Sequence, residues 1–334
     1  MNADSDVVVV GAGAGGAVAA WALARRGIRV TLLETGPRFS PQAYDTWARD
    51  WELRSSAFDE VESAPARKSY DSAARGLLDP DFAHLASRSP SVFARGGRRF
   101  RSDFFYNRAL GVGGSTLHYQ GEAHRFPAHA FRMRSERGVA ADWPITYDEL
   151  APYYERVEEI LGVAGDPRNP FKPARGPYPY PAHPLSRLSA AVSKGARSLG
   201  LHVLPNPVAI LPSPRDGRAV CHYCNGCVRG CPVNAKGSVD VAVIPAAEAT
   251  GRLTIVTQFH VTRLEHDGDG RVTAAVGVDE HGAEQRVTGR AFFLATGAIE
   301  TPRILLQSDI GNDEDQVGRY LMESLYVGLR GTLE

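Results

Sequence analysis

The chain has 334 residues with 43% apolar content, enough to bury a large core and to divide into two domains. Its 38 basic and 38 acidic residues cancel, which removes the electrostatic footprint of a nucleic-acid binder or of a protein drawn to anionic lipid. No later segment is long and apolar enough to cross a bilayer as a helix and no secretory leader is visible, so the reading is a cytoplasmic protein without an intrinsic membrane segment.

The first elements are the most informative. An uncharged run, Val7 to Val10, meets Gly11, Ala12, Gly13, Ala14, Gly15 and Gly16, then an alanine-rich helix ending at Arg25, Arg26 and Gly27; a second strand, Ile28 to Leu33, stops on Glu34. In this strand–turn–helix context the GxGxxG spacing has a physical meaning. The first glycine allows the tight turn, the second lets backbone approach a pyrophosphate, and the third lets helix and strand pack closely. A phosphate can sit on the free N–H groups at the helix start, and Glu34 falls at the distance of about 20 residues that suits a ribose hydroxyl. Residues 7–24 carry no charge, as a leader or anchor would, but Asp4 and Asp6 precede them and Arg25 and Arg26 follow, the reverse of a positive leader.

Pro41 to Arg101 is polar with broken periodicity and reads as an excursion with short helices: a lid over a cofactor, an oligomer contact or plain surface irregularity. Thr146 and Glu149 form a capping box for a helix whose apolar stripe is Leu150, Tyr154, Val157 and Leu161 and which Gly162 closes. Seven prolines from Pro167 to Pro184 predict an extended connector, and a helical segment follows over Leu185 to Leu199. Phe259 to His266, Arg271 to Val278 and Gln285 to Thr288, separated by the turn clusters 267–270 and 279–282, predict a β meander. It feeds a last buried strand, Ala291 to Ala295, after which Thr301 caps a helix with Pro302 in its first turn.

All four cysteines, Cys221, Cys224, Cys227 and Cys231, fall in one window followed by Pro232. The pattern CxxCxxCxxxCP is that of iron–sulfur ferredoxins, and three or four such thiolates can wrap one cluster. Zinc and free structural thiols are the rival readings; disulfides fit a reducing compartment poorly.

Four motifs in this order, GAGAGG at 11–16 with Glu34-Thr35-Gly36, GVGGSTLHY at 111–119, GCPVNAKGS at 230–238 and ATGAIETPRILLQS at 295–308, resemble the glucose-methanol-choline (GMC) family of flavoprotein oxidoreductases. The resemblance implies an α/β fold: an FAD-binding Rossmann-like domain with a β meander, plus an incomplete α+β substrate domain. It divides the chain into residues 1–125, the first part of the FAD-binding domain with the excursion 41–101; 126–210, a substrate or cap segment; 211–315, the second part of the FAD-binding domain with the cysteines; and 316–334, the start of a substrate domain.

The same resemblance assigns Glu34, Thr35 and Gly36 to the adenosine ribose. Gly111, Val112, Gly113, Gly114 and Ser115 would lie along the pyrophosphate toward the flavin ring, Thr296 and Gly297 belong to the turn over the adenosine side, and backbone at Val261 would meet the adenine. His118 matches the GGxxxH spacing at which some members attach the flavin covalently through a neutral imidazole; packing or hydrogen bonding near the ring is the other role open to it. Lys236, in the family's AK pair, is expected to act structurally or electrostatically.

The implied reaction is hydride transfer from a CH–OH group of an alcohol, sugar or sugar acid to flavin N5, with electrons leaving through an iron–sulfur cluster or an acceptor subunit such as a cytochrome. An oxygen-reducing alcohol or sterol oxidase and a non-catalytic FAD-binding fragment are the alternatives. The family's catalytic histidine and its partner lie in the C-terminal portion, whereas this chain stops at Glu334, with Glu323 and Ser324 where a histidine often stands in the segment Gln316 to Tyr326. No catalytic residue is assigned, and a fragment, a truncated reading frame or one piece of a split enzyme is expected.

Overall fold

The computed structural model describes residues 5–40, 87–89, 92–95, 98–101, 106–170, 172–173, 175–224, 226–227 and 230–322. The valine run forms β1 (Ser5–Val10), and the glycine turn delivers the chain into α1 (Ala14–Ala24) and back into β2 (Val30–Leu33). Both strands are rich in β-branched residues and buried on both faces at their C-terminal ends, as central parallel strands are. Residues 87–108 contribute four short strands, β3 (Ser87–Ser89), β4 (Val92–Arg95), β5 (Arg98–Arg101) and β6 (Tyr106–Arg108), paired antiparallel as β3 with β6 and β4 with β5. The expectation of short helices in the excursion is corrected over these residues, where hairpin pairing supplies the backbone bonds; residues 41–86 lie outside the described residues.

The middle of the chain carries α2 (Met133–Arg137) and then α3 (Tyr147–Leu161). The expected capping box of α3 is present: Glu149 N donates to Thr146 Oγ1 at 3.2 Å, Thr146 N donates back to Glu149 Oε2 at 2.7 Å, and Gly162 ends the helix with φ +76°. Among the described residues of the proline connector and its margins, the regular elements are the short β7 (Ala164–Gly165) and β8 (Tyr180–Pro181), and α4 (Arg187–Ser198) follows with Ser186 as its cap. Isolated bridges join Glu122 and Ala164 to Val208, and Ile210 to Lys236, tying these segments together.

Beyond the cysteines come α5 (Val239–Ala242), α6 (Ile244–Glu248), β9 (Leu253–Val256), β10 (His260–His266), β11 (Val272–Val278), β12 (Glu284–Leu294) and α7 (Gly297–Gln307). The main sheet runs β10-β11-β12-β1-β2-β9. The meander turns are built alike: Asp267 Oδ1 accepts from Asp269 N and Arg271 N, and Asp279 Oδ1 from His281 N and Ala283 N.

Three sequence expectations are corrected here. The third meander strand and the last strand are one continuous element, β12, whose first half pairs antiparallel with β11 up to Thr288 and whose second half pairs parallel with β1 from Gly289. Side-chain parity changes at the changeover: Val287 and then Phe292 and Leu294 face one cluster with Val8, Val10, Leu33, Val261, Leu264, Ala275 and Ile304. The meander thus packs back over the parallel sheet, while α1, α5 and α6 cover its other face around Val9, Leu32 and Val243.

Nor is the segment after Gly289 a fully buried strand. Phe293 is 46% exposed, and the strand contacts of α1 and α6 fall mainly on β1, β2 and β9. Likewise α7 starts at Gly297, so Thr301 and Pro302 lie inside it; Thr301 Oγ1 instead meets Thr296 Oγ1 at 2.9 Å, near the residue that precedes the first turn.

Candidate cofactor site

The parallel strands end together, and the loops leaving their C-terminal ends surround a cavity of about 410 Å³. This is where open α/β sheets bind ligands. Of the sequence-predicted residues, Gly11, Gly13, Ala14, Gly15, Glu34, Thr35, Gly114, Ser115, Val261, Thr296 and Gly297 line it. Ala12, Gly16, Gly36, Gly111, Val112, Gly113 and His118 do not.

The glycines divide by role. A Cβ on Gly16 would stand 1.8 Å from the Gly11 carbonyl oxygen, so this position lets α1 seat against the end of β1. Gly11 takes φ +97°, and a Cβ there would press the Ala295 carbonyl at 2.7 Å. At Gly13 a Cβ would come no nearer than 4.0 Å, to Gly114 Cα; the space it leaves opens on the cavity. No side chain caps α1, so the N–H groups of Ala14, Gly15 and Gly16 head the helix without intrahelical partners. Such an end accepts an anion.

Glu34 is 7% exposed and acts first as a knot between loops. Its Oε2 accepts from Ala12 N at 2.9 Å, and its Oε1 from Gly36 N at 2.9 Å and Gly111 N at 3.1 Å. Burial pushes its carboxyl above the usual range, against the pull of these N–H bonds. The GVGGS loop is drawn in by the same logic, with Gly113 N donating to Ala12 O at 2.9 Å and Val112 N to Pro37 O at 3.0 Å.

His118 ends the 3₁₀ turn Gly114–Leu117 beside the cavity wall. Burial, aided by the Lys236 cation, lowers its pKa and favours the neutral imidazole. Lys236 is 1% exposed, and its ammonium donates to Leu117 O at 2.7 Å, Tyr119 O at 3.1 Å and Cys227 O at 2.7 Å. All three N–H groups are thereby used, two of them on the carbonyls flanking His118. This clamp joins the flavin-side loop of the sequence reading to the cysteine loop. Nearby, Asp240 Oδ1 is buried without a partner among the described residues, and burial raises that carboxyl's pKa.

The four cysteines are free thiols, all half-buried. Burial pushes the Cys227 thiol up to about 11, with Lys236 opposing and the other three cysteines reinforcing. Among the described residues no three His, Cys, Asp or Glu side chains are arranged to hold a metal ion, and the thiols as they stand do not form a ligand set.

Sequence reasoning missed two features. Glu300 and Arg303 on α7 line the cavity as an ion pair at 2.6 Å; their i, i+3 helical spacing was a readable signal. The stripe of α3 is only half-buried, while its fully buried members are Tyr147 and Glu158, the latter gripped by Arg125 at 2.8 Å and Arg175 at 2.6 Å. Nothing local announces that trio, since its arginines come from distant loops.

Residues 5–325 match the family described as GMC oxidoreductase. The chain is 30% identical over 336 residues to a fructose dehydrogenase large subunit of Gluconobacter japonicus, covering 97% of this chain and 59% of that protein. It is 31% identical over 332 residues to a 2-methyl-1,2-propanediol dehydrogenase of Mycolicibacterium austroafricanum, covering 96% and 55%. Among solved structures, pyridoxine 4-oxidase from Mesorbium loti superposes with a TM-score of 0.56 at 23% identity over 92% of this chain and 52% of that one, a likeness of fold. The chain spans somewhat more than half the length of the curated relatives it matches.

Proposed function

The chain belongs to the GMC oxidoreductase family, and from that premise we propose that it forms the FAD-binding part of an oxidoreductase acting on CH–OH groups of an alcohol, sugar or sugar acid. One observation carries the reading: the uncapped start of α1, the buried Glu34 and the Gly114–Ser115 end of the glycine loop converge on a cavity that lacks side-chain bulk on its phosphate side. The cradle fits FAD, with N–H groups of residues 14–16 for the pyrophosphate and Glu34 for a ribose hydroxyl. When bound, FAD supplies the hydride acceptor of the reaction. The chain's own residues bind and orient it, and the Lys236 clamp holds the His118 peptide in place. The half-buried setting of His118, which lowers its pKa and so favours the neutral imidazole, supports attachment of the flavin at this residue.

The dehydrogenase form of the proposal is supported by relatives named as dehydrogenases, one of them a large subunit, which favours an electron-accepting partner subunit here as well. The ferredoxin-like spacing of Cys221, Cys224, Cys227 and Cys231 is the support for an iron–sulfur cluster. An oxidase reading is favoured by the relative named 6'''-hydroxyparomomycin C oxidase, 30% identical to this chain. One experiment tests these statements together: the absorbance spectrum of the purified protein before and after acid precipitation, with iron and sulfide analysis. Flavin bands are expected, flavin kept in the pellet reports covalent attachment, and stoichiometric iron and sulfide report the cluster. A colourless protein that takes up no added FAD overturns the flavin reading.

A further inference from the structure

The cavity has a direction. The start of α1 suits phosphates and Glu34, at the end of β2, suits a ribose, so a dinucleotide laid along it must place its base beyond Glu34. The wall there is made by Phe259, His260 and Val261 at the head of β10 and by Glu300 and Arg303 of α7. Phe259 N donates to Glu34 O at 2.9 Å, which fixes this wall directly against the ribose position.

Arg303 is held unusually well for a side chain that faces a cavity. Its Nε donates to Glu300 Oε2 at 2.6 Å, Nη2 to Val261 O at 3.3 Å and Nη1 to Thr262 O at 3.5 Å. Each guanidinium nitrogen therefore has a protein acceptor, the Glu300 carboxylate being the close one, and the group is held at the cavity wall. A flat, delocalised and weakly hydrated cation of this kind stacks on an aromatic face, which a lysine ammonium cannot reproduce. The same contacts tie the side chain to the Val261 and Thr262 carbonyls of β10, so the stacking surface and the adjoining backbone edge lie side by side.

We propose that Arg303, locked by Glu300 and the head of β10, is the surface on which the purine base of the bound dinucleotide rests, and that it sets the preference of this site for FAD over FMN. The inference rests on the FAD-binding reading above. The test is a set of titrations of the full chain carrying His118→Ala, which has no imidazole to hold the flavin covalently, stripped of flavin and titrated with FAD, FMN and ADP, followed by flavin fluorescence or calorimetry, for the otherwise native protein and for Arg303→Leu, Arg303→Lys and Glu300→Gln.

Arg303→Leu is expected to weaken FAD and ADP about tenfold while leaving FMN unchanged. Arg303→Lys should recover little of this, and Glu300→Gln should fall between. Equal FAD and ADP affinity in native protein and Arg303→Leu, or an equal loss for FMN, overturns the role of Arg303 and leaves the flavin reading intact. Native protein that binds neither FAD nor ADP overturns both. Should Arg303→Leu melt before it can be titrated, Glu300→Gln and Arg303→Lys decide by the same FAD-to-FMN ratio.

Discussion

Two glycines three residues apart should fail in opposite ways when given a methyl group. At Gly16 the new Cβ would lie 1.8 Å from the Gly11 carbonyl oxygen and 3.2 Å from Ala295 Cβ, and the first of these is backbone that cannot swing aside. Restoring an ordinary separation requires the start of α1 to back away from β1 by roughly 1.5 Å, a displacement in the range where overpacking costs about 3 kcal/mol, against which the helix propensity of alanine returns about 1 kcal/mol. Gly16→Ala should therefore lose about 2 kcal/mol of stability, read as a lower midpoint in urea at unchanged m-value. At Gly13, with φ −74° and no atom nearer than 4.0 Å, alanine meets nothing in the protein. The gain from a less flexible unfolded chain and the loss from a poorer helix cap are each below about 1 kcal/mol and oppose each other. Its methyl group instead stands where the pyrophosphate would pass, so FAD affinity should fall at least tenfold while the urea midpoint stays put. A Gly13→Ala protein that binds FAD as well as the native chain would refute the placement of the phosphates, and a Gly16→Ala protein of native stability would refute the packing argument.

Glu158 is held below the usual carboxylate range by Arg125 and Arg175, which outweigh the opposing effect of its burial. Its contribution is complete above the unfolded value near 4.5 and is lost as pH falls through the lowered folded value. Glu158→Gln, which leaves the buried Arg175 guanidinium without its carboxylate partner and Arg125 with only Glu155 at 3.9 Å, should cost about 3–5 kcal/mol at pH 7, and denaturation curves of the two proteins should converge in acid. Lys236→Met leaves three buried carbonyls without a donor; a loss of about 2 kcal/mol or more is expected, together with faster alkylation of Cys227 mapped by peptide mass spectrometry. Unchanged alkylation in a destabilised variant would show that the clamp supports the fold but not the cysteine loop.

The glycine turn, the second strand ending on Glu34, the capping box of α3 and the paired aspartate turns of the meander were all legible in the sequence, because each depends on residues a few positions apart. What escaped depends on distant partners. The fusion of two predicted strands into β12 is invisible locally: Thr288 to Arg290 reads as a polar break, and only pairing with β11 on one side and β1 on the other keeps the strand going. Proline 302 suggested a helix start by a sound rule, yet α7 begins five residues earlier, at a glycine whose φ of +90° makes the turn out of the sheet. At the cavity, the backbone-lined side was readable from its glycines, whereas the Arg303 side depends on how α7 lies on β10.

Because β12 hands its edge from β11 to β1 without interruption, the chain has no joint at which the meander could be replaced or reset independently of the nucleotide fold. A single residue inserted between Glu284 and Leu294 would invert the facing of every later side chain in that strand and carry the misalignment into the turn at Ala295. Residues added at 267–270 or 279–282 would merely lengthen an exposed loop. Grafts and split points for this scaffold therefore belong in the aspartate turns, with the eleven residues of β12 kept as an indivisible unit.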